Sequence, residues 1–494
     1  MKKLLLSALL CLSVFFTLTG CNGNQNEDNT DYIQQEEQLD EEYNLQRLLD
    51  IAYNRRTNII LPTYEQIAEL TESREPRTID MRSAFAWPPD RGVVMHITAE
   101  EATEDALLFF KALRQVYGPY IYFGGDEVFN PLFDNIIAQI SDYETLSVGR
   151  LERIIFNELN PVINDNHFRF GGHHFRVDAT FYTSNTPFDR HQQGFRHREN
   201  GLLVTEIEGH DIDRVFRLSM DTYGDIFYSP VKYVVAPFAP QTYDMNIVFE
   251  DGSVYSLMLR NPGALNVSPS GPRLEFVDGI AVVTVRDMGY NPSRGTLNHT
   301  SAINFMHIAE QIRDEPVIII DVRHNAGGDD GLGARWLYRL MREVVPLTSI
   351  WLTTDGRATV TRHPADAYRL AGDRTIPPGD IYFIREYNQL IENNQLIIML
   401  IDRFTVSAAE GFANQMFSMK NTLVIGQNTA GMLVADAAFV ASDFSLPNSG
   451  IRFGFGVGVF VYPDDFFAEG VGIAPDVWVH GDALQAALAL LCNR

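Results

Sequence analysis

Three runs of consecutive apolar residues constrain the fold of this chain more than any other feature. They lie within residues 279–285, 316–322 and 395–402. Strands are apolar along their whole length when helices cover both faces of a parallel sheet. The runs therefore predict buried strands at the centre of a layered domain.

Helical segments separate these strands. A helix is predicted over 302–312, another begins near Ala408, and a further strand covers 423–426. This alternation predicts an α/β domain over residues 270–494. The chain has 494 residues, which is too long for one compact core, so further domains must precede this one.

Two different patterns precede the α/β region. Residues 43–190 are predicted to form a mainly helical domain, in which Thr98 and Glu101 have the spacing of a capping box. Short β-like runs separated by turns predict a β-rich module over residues 195–268. A helix is expected within it at 215–220.

The N-terminal segment has the composition of a bacterial lipoprotein leader. Lys2 and Lys3 precede an apolar stretch that is shorter than the about 20 residues of a membrane span, and Leu18-Thr19-Gly20-Cys21 follows. This pattern resembles a lipobox, so residues 1–21 are predicted to be a signal peptide with lipid attached to Cys21. The polar, acidic residues 22–42 are expected to be a disordered tether. The folded body would then be anchored to the cell membrane, facing outside the cytoplasm.

Charge and cysteine content restrict the partners. The formal net charge of −25 argues against nucleic acid, because phosphate binding needs a surplus of Lys and Arg. The folded body contains only Cys492, which excludes an internal disulfide framework. Histidines occur without an H-E-x-x-H or a paired-cysteine motif, so neither a metal nor an organic cofactor is implied.

Ser407 is the first candidate for chemistry. It follows the strand at 395–402 and stands where the next helix begins, before Ala408. A helix N-terminus offers unpaired N–H groups to a developing negative charge. Gly327 and Gly328 follow the strand at 316–322, and glycines there can bring backbone N–H groups close to a ligand. An ordinary N-cap serine and a tight turn are the structural alternatives.

Four segments resemble one family when they are taken in order. They are Asp321-Val-Arg-His-Asn-Ala-Gly-Gly328, Ser407-Ala-Ala-Glu410, Gly426-Gln-Asn-Thr-Ala-Gly431 and Glu469-Gly-Val-Gly-Ile-Ala-Pro-Asp476. They are similar to the motifs of the tail-specific, C-terminal-processing serine peptidases. The resemblance implies a ClpP/crotonase-like catalytic domain and a polypeptide substrate. It also implies a PDZ-like module, which here would be degenerate, because its usual glycine-rich loop is not evident.

The chain departs from this family at one position. The Ser/Lys branch carries its general base after the G-x-x-T-x-G turn, where this sequence has Met432, which cannot accept a proton. The chain is therefore more similar to the branch of tricorn and the retinoid-binding proteins, which uses a Ser-His-Glu relay. By position, the resemblance implies His167 as general base and Glu469 as the acidic member. His173 and His174 are alternatives for the base, and Asp165 is an alternative orienting acid.

These observations predict a secreted, lipid-anchored serine endopeptidase. Its nucleophile would be Ser407, and the N–H groups of Gly327, Gly328 and Ala408 would form the oxyanion hole. A catalytically inactive binding protein on the same fold is the main alternative, and an esterase is another. The sequence gives no indication of the oligomeric state.

Overall fold

A computed structural model describes most of the chain after residue 44. The described residues are 45–60, 70, 77–87, 92–175, 179–207, 209–235, 239–263, 271–289, 297–353, 358–359, 390–436, 444–463 and 467–492. The predicted leader and tether lie outside them. Among the described residues, no helix combines the length and apolar character that crossing a membrane requires.

The N-terminal part is helical up to residue 159. Its helices are α1 (45–57), α2 (Met81–Ala84), α3 (Ala99–Val116), α4 (Gly125–Ser141) and α5 (Val148–Leu159), with a 3₁₀ turn at Gly118–Tyr120 and the short strands β1 (His96–Thr98) and β2 (Thr145–Ser147). The predicted capping box is confirmed: the hydroxyl of Thr98 accepts from the N–H of Glu101, whose carboxylate accepts from the N–H of Thr98.

The predicted helical domain does not extend to residue 190 as a separate unit. Strands follow α5, namely β3 (Arg169–Phe170), β4 (His173–His174), β5 (Ala179–Thr183) and β6 (Phe188–His191). β5 pairs with strands of the β-rich module. The core between α3, α4 and α5 also contains Phe444, Phe453 and Phe455 from the C-terminal part of the chain. The predicted boundary differs from the observed one because pairing between strands far apart in the chain leaves no periodic pattern in the local sequence.

The β-rich module contains β7 (Gly194–His197), β8 (Val204–Ile207), α6 (Ile212–Val215), β9 (Phe216–Met220), β10 (Ile226–Val235), β11 (Thr242–Phe249) and β12 (Val254–Arg260). The helix predicted at 215–220 is wrong: Val215 ends α6, and residues 216–220 pair in β9 with β10. In the described part of 195–263, α6 is the only helix, and it has four residues. The PDZ-like character of the module therefore stays a prediction.

The C-terminal part has the predicted α/β architecture. Its elements are β13 (Arg273–Val277), β14 (Ile280–Thr284), α7 (Leu297–Gln311), β15 (Val317–Asp321), α8 (Asp330–Met341), β16 (Ile350–Thr353), β17 (Ala358–Thr359), β18 (Leu396–Ile401), α9 (Ala408–Met416), β19 (Thr422–Gly426), β20 (Phe444–Ser445), β21 (Arg452–Gly454), β22 (Gly458–Val461), β23 (Phe467–Ala468), β24 (Gly472–Ile473), β25 (Val477–Val479) and α10 (Ala483–Cys492). The fold-class prediction is confirmed.

The central strands are parallel in the order β14-β15-β18-β19-β25. Ile318 and Ile320 face α7, α8 and α9, whereas Ile319 faces α1 and α10 on the opposite side. This alternation explains the continuous apolar runs, because both faces of the sheet are covered. β25 also pairs with β9, so the sheet continues into the β-rich module.

Candidate active site

Ser407 lies at the carboxyl end of β18, immediately before α9. Its backbone has φ 51° and ψ −116°, a conformation that residues with a side chain rarely adopt. Such strain costs of order 1–3 kcal/mol and persists only where surrounding contacts impose it. The turn before it is fixed by Thr405, whose hydroxyl donates to the carbonyl of Val322 at 3.0 Å. Ser407 is thus presented on a constrained turn and remains partly exposed.

His167 lies beside Ser407. Its Nε2 atom is 3.2 Å from Oγ of Ser407, across a separation of 240 residues. The loop that carries it follows α5, and its backbone N–H donates to Asp165 at 2.7 Å. His167 is 4% exposed. Burial, together with the charge of Arg169, lowers the pKa of His167 to about 4.

The alternative His173 occupies a different place. Its Nε2 atom is 3.3 Å from the carboxylate of Glu152 on α5. Its ring stacks on Phe156, with 4.1 Å between the ring centroids. These contacts hold His173 against α5, whereas His167 is the histidine within hydrogen-bonding distance of Ser407.

Glu469 contacts the loop of His167 but not its ring. One carboxylate oxygen accepts from the backbone N–H of Asn166 at 2.8 Å. The other accepts from the N–H groups of Leu433 at 2.7 Å and Val434 at 2.8 Å. Among the described residues, Nδ1 of His167 has no hydrogen-bond partner. Burial, reinforced by the nearby charge of Asp165, raises the pKa of Glu469 well above its ordinary value.

Gly327 lies against Ser407 and Ala408, and Gly328 follows it in the chain. A Cβ atom on Gly327 would lie 3.1 Å from the backbone nitrogen of Ala408, so the two loops are in contact. The N–H of Gly327 donates to the side chain of Asn325 at 2.9 Å and is therefore occupied. Within the described part of the chain, the N–H groups of Gly328 and Ala408 have no such acceptor. These two groups are available to a bound oxygen atom.

Buried ion pairs fix the strand that leads to the glycines. Asp321 accepts from Arg286 at 2.6 Å and from Arg323 at 2.8 Å. Burial by itself would raise the pKa of Asp321, but the two guanidinium groups outweigh it and lower the pKa to about 2. Asp321 is therefore ionised at any pH near neutrality, and Arg323, which pairs with it, has a structural role.

Two residues near the site were not assigned a role from sequence. Glu410 is fully buried and accepts from the N–H of Ser407 at 2.8 Å. Its position three residues after a serine at a helix start is the spacing of a capping box, which could have identified it. The hydroxyl of Tyr117 donates to Asp165 at 2.8 Å, and no local pattern marks that residue.

The fold and this site define a serine-type peptidase. Residues 279–479, which make up most of the α/β part of the chain, match the sequence model of peptidase family S41. This confirms the resemblance to the tail-specific peptidases, and it implies polypeptide substrates. No sequence among the curated proteins is similar enough to the chain to count as a relative.

Several solved structures are similar to this chain at low sequence identity. Mature CPAF is 13% identical, with a TM-score of 0.39, over 79% of this chain and 96% of CPAF. The photosystem II D1 C-terminal processing protease is 13% identical, with a TM-score of 0.33, over 76% of this chain and 92% of that protein. The tricorn protease is 12% identical, with a TM-score of 0.33, over 80% of this chain and 37% of tricorn.

Proposed function

We propose that the protein is an endopeptidase in which Ser407 is the nucleophile and His167 is the general base. The distance of 3.2 Å between Oγ of Ser407 and Nε2 of His167 carries this proposal. A neutral imidazole at that distance can accept the serine proton while Oγ attacks the scissile carbonyl carbon. The protonated Nε2 then donates to the leaving amine, and a water molecule hydrolyses the acyl-enzyme by the same route.

The developing oxyanion would be bound by backbone N–H groups. Gly328 and Ala408 have N–H groups without an acceptor in the described part of the chain, and Ala408 opens α9. Donors placed in advance at this point stabilise the tetrahedral intermediate. Because the N–H of Gly327 is bonded to Asn325, Gly327 contributes to the proposed hole through its close backbone approach to Ala408.

Glu469 would support the base through the backbone. Its carboxylate accepts from Asn166, the residue before His167, at 2.8 Å. This contact orients the loop that carries the imidazole, so Glu469 is proposed to position His167 through the backbone of Asn166, without transferring a proton to or from the ring. Asp165 acts on the same loop, because it accepts from the N–H of His167.

Labelling with a fluorophosphonate tests the proposal. The protein lacking residues 1–21 is compared with its Ser407→Ala and His167→Ala variants. Loss of labelling in both variants is expected, with a fall in peptide hydrolysis of about 10⁴-fold or more. Labelling that survives in His167→Ala would contradict its role as base. An unlabelled parent protein would favour the binding-protein alternative, and hydrolysis of esters but not peptides would favour an esterase.

We also propose that the peptidase is anchored to the membrane through lipid on Cys21, outside the cytoplasm. The support is the sequence Leu18-Thr19-Gly20-Cys21 after an apolar stretch. Metabolic labelling with a fatty acid should mark the full chain and fail in Cys21→Ala. Cys11→Ala, a change inside the leader, should leave labelling intact. Equal labelling in the Cys21 variant and the parent would reject the anchor.

A further inference from the structure

The turn at 429–434 lies between two carboxylates and contacts both halves of the site. Four successive N–H groups of this turn are shared between the two carboxylates. Those of Gly431 and Met432 donate to Glu410, and those of Leu433 and Val434 donate to Glu469. Each carboxylate also accepts one backbone N–H from a loop that carries a candidate catalytic residue. The turn therefore connects the loop of Ser407 with the loop of His167.

Glu410 has four donors at the Ser407 end of this connection. Oε1 accepts from the hydroxyl of Thr429 at 2.5 Å and the N–H of Gly431 at 2.7 Å. Oε2 accepts from the N–H of Ser407 at 2.8 Å and that of Met432 at 2.9 Å. The bond to Ser407 restrains a residue whose φ of 51° is unfavourable without such support.

The chemistry of these four bonds requires a carboxylate. Every partner is a donor, so an ionised carboxylate satisfies all of them, whereas an amide would direct its NH₂ group at two other donors. Glu410 has no exposed surface, and its burial raises its pKa against the effect of the four donors. A buried acidic group retained with this cost indicates a role beyond filling space.

At the His167 end, the turn makes a second bond to the base loop. The side-chain amide of Asn166 donates to the carbonyl of Gly431 at 3.0 Å, beside the bond from its N–H to Glu469. The two catalytic candidates are thus connected through Glu410, one short turn and Glu469. Met432, at the position where the Ser/Lys branch carries its base, lies in the middle of this connection.

We propose that Glu410 is a positioning residue, which sets the backbone of Ser407 and its distance from His167 through the turn at 429–434. This inference rests on the proposed function of Ser407 and His167. The turn would then hold the histidine base in place, although it carries no basic side chain of its own. The hydrogen bonds of Glu410 in the described part of the chain go to Ser407 and the turn, and not to the imidazole. Its loss should therefore change the reactivity of Ser407 and not the pKa of His167.

Glu410→Gln tests the proposal, with Asp105→Asn as a matched control. Asp105 on α3 is also a fully buried carboxylate, and it accepts from the N–H groups of Asn448 at 2.9 Å and Ser449 at 2.8 Å, which lie between β20 and β21. The control therefore reproduces the loss of a buried carboxylate that holds a loop. Both variants are compared with the parent for thermal stability, fluorophosphonate labelling rate, kcat and KM.

The expected result separates the two variants. Glu410→Gln should lower the labelling rate and kcat by about 100-fold, with little change in KM. The midpoint on the acid side of its pH–rate profile should be the same as in the parent. Asp105→Asn should lower the melting temperature and leave the labelling rate of the folded protein unchanged. Equal labelling rates in Glu410→Gln and the control would overturn the proposal. An unlabelled parent would instead remove the proposed function on which it rests.

A milder change keeps the proposal testable where Glu410→Gln does not fold. Thr429→Val removes one of the four donors to Glu410 together with the acceptor of the Ile473 N–H, and Thr429→Ser retains both bonds. The labelling rate should fall in Thr429→Val and return to near the parent value in Thr429→Ser. Equal rates in these two variants would count against the proposal, because the hydroxyl would then be irrelevant to the reactivity of Ser407.

Discussion

The hydroxyl of Tyr117 donates to the carboxylate of Asp165 at 2.8 Å, and the other oxygen of that carboxylate accepts from the N–H of His167. A residue at the end of α3 therefore supports the loop that carries the candidate base. Asp165 is fully buried, and burial raises its pKa to about 7 although both hydrogen bonds act in the opposite direction. The helical part of the chain is in this way a component of the candidate active site.

Tyr117→Phe should reduce both stability and activity. Removing a hydrogen bond to a buried carboxylate costs about 1.5–3 kcal/mol. Displacement of the loop should also lower kcat/KM by about 10-fold, because small errors of position are costly in catalysis. Chemical denaturation and peptide hydrolysis measure the two effects.

Tyr182→Phe provides the matched control. The hydroxyl of Tyr182 donates to the carbonyl of Pro240 in the β-rich module at 2.6 Å. This variant should lose stability and keep its activity. Full activity in Tyr117→Phe would show that Asp165 holds the loop without help from α3.

The pH dependence of labelling should reflect the burial of His167. Only the neutral imidazole can accept the serine proton, and burial lowers its pKa to about 4. Titration of the imidazole should therefore leave the labelling rate unchanged between about pH 7 and pH 5, where Asp165 titrates, and reduce it only near the lowered pKa of His167. A profile with its midpoint at the ordinary histidine value of about 6.5 would contradict this environment.

Arg169→Gln tests the second cause of the lowered pKa. The positive charge of Arg169 disfavours the imidazolium ion, so its removal should move the acid limb to higher pH. Arg169 is exposed, and salt should therefore produce a shift in the same direction. Arg114→Gln, which removes an exposed charge paired with Asp126, should leave the midpoint in place.

The sequence predicts the parts of this site that are encoded locally. Apolar runs that end in polar residues or glycines predict the strand that leads to Asp321 and the turn before Ser407. The structure brings His167 close to Ser407, as family position implied. The bonds of Glu410 and Glu469 to backbone N–H groups could not be predicted, because they join segments far apart in the chain and depend on exact loop paths.

The same limit applies to the domain boundaries. Phe453 and Phe455 follow the catalytic strands in sequence, yet they pack with Phe109 and Phe168 in the helical core. Periodicity shows that such residues are buried but does not show which core contains them. A continuous sheet through β25 and β9 is likewise set by long-range pairing.

Arg56→Met should destabilise the catalytic sheet. Arg56 on α1 is fully buried and donates to Asp476 at 2.7 Å, and Asp476 in turn accepts from the N–H of Val424 in β19. Losing one partner of a buried ion pair costs about 3–5 kcal/mol. The lower end is expected, because Arg55 also pairs with Asp476.

The matched control is Arg114→Met. Arg114 pairs with Asp126 at 2.9 Å on the surface, where an ion pair contributes about 0–1 kcal/mol. Urea denaturation should therefore separate the two variants clearly. Equal stability in both would show that α1 is held on the sheet by its apolar face alone.

Gly431→Ala should reduce activity through the turn at 429–434. Gly431 has φ 82°, and a Cβ atom there would lie 2.6 Å from the backbone nitrogen of Gly470. Because backbone cannot yield as a flexible side chain can, the turn must move away from Glu469. We expect kcat to fall by about 100-fold.

Gly252→Ala is the control, since Gly252 has φ 80° but no atom within 4 Å of the added carbon. Both variants carry a backbone strain of about 1–2 kcal/mol, so a difference in activity isolates the displacement of the turn. If the two variants kept equal activity, the position of this turn would have no influence on the reaction.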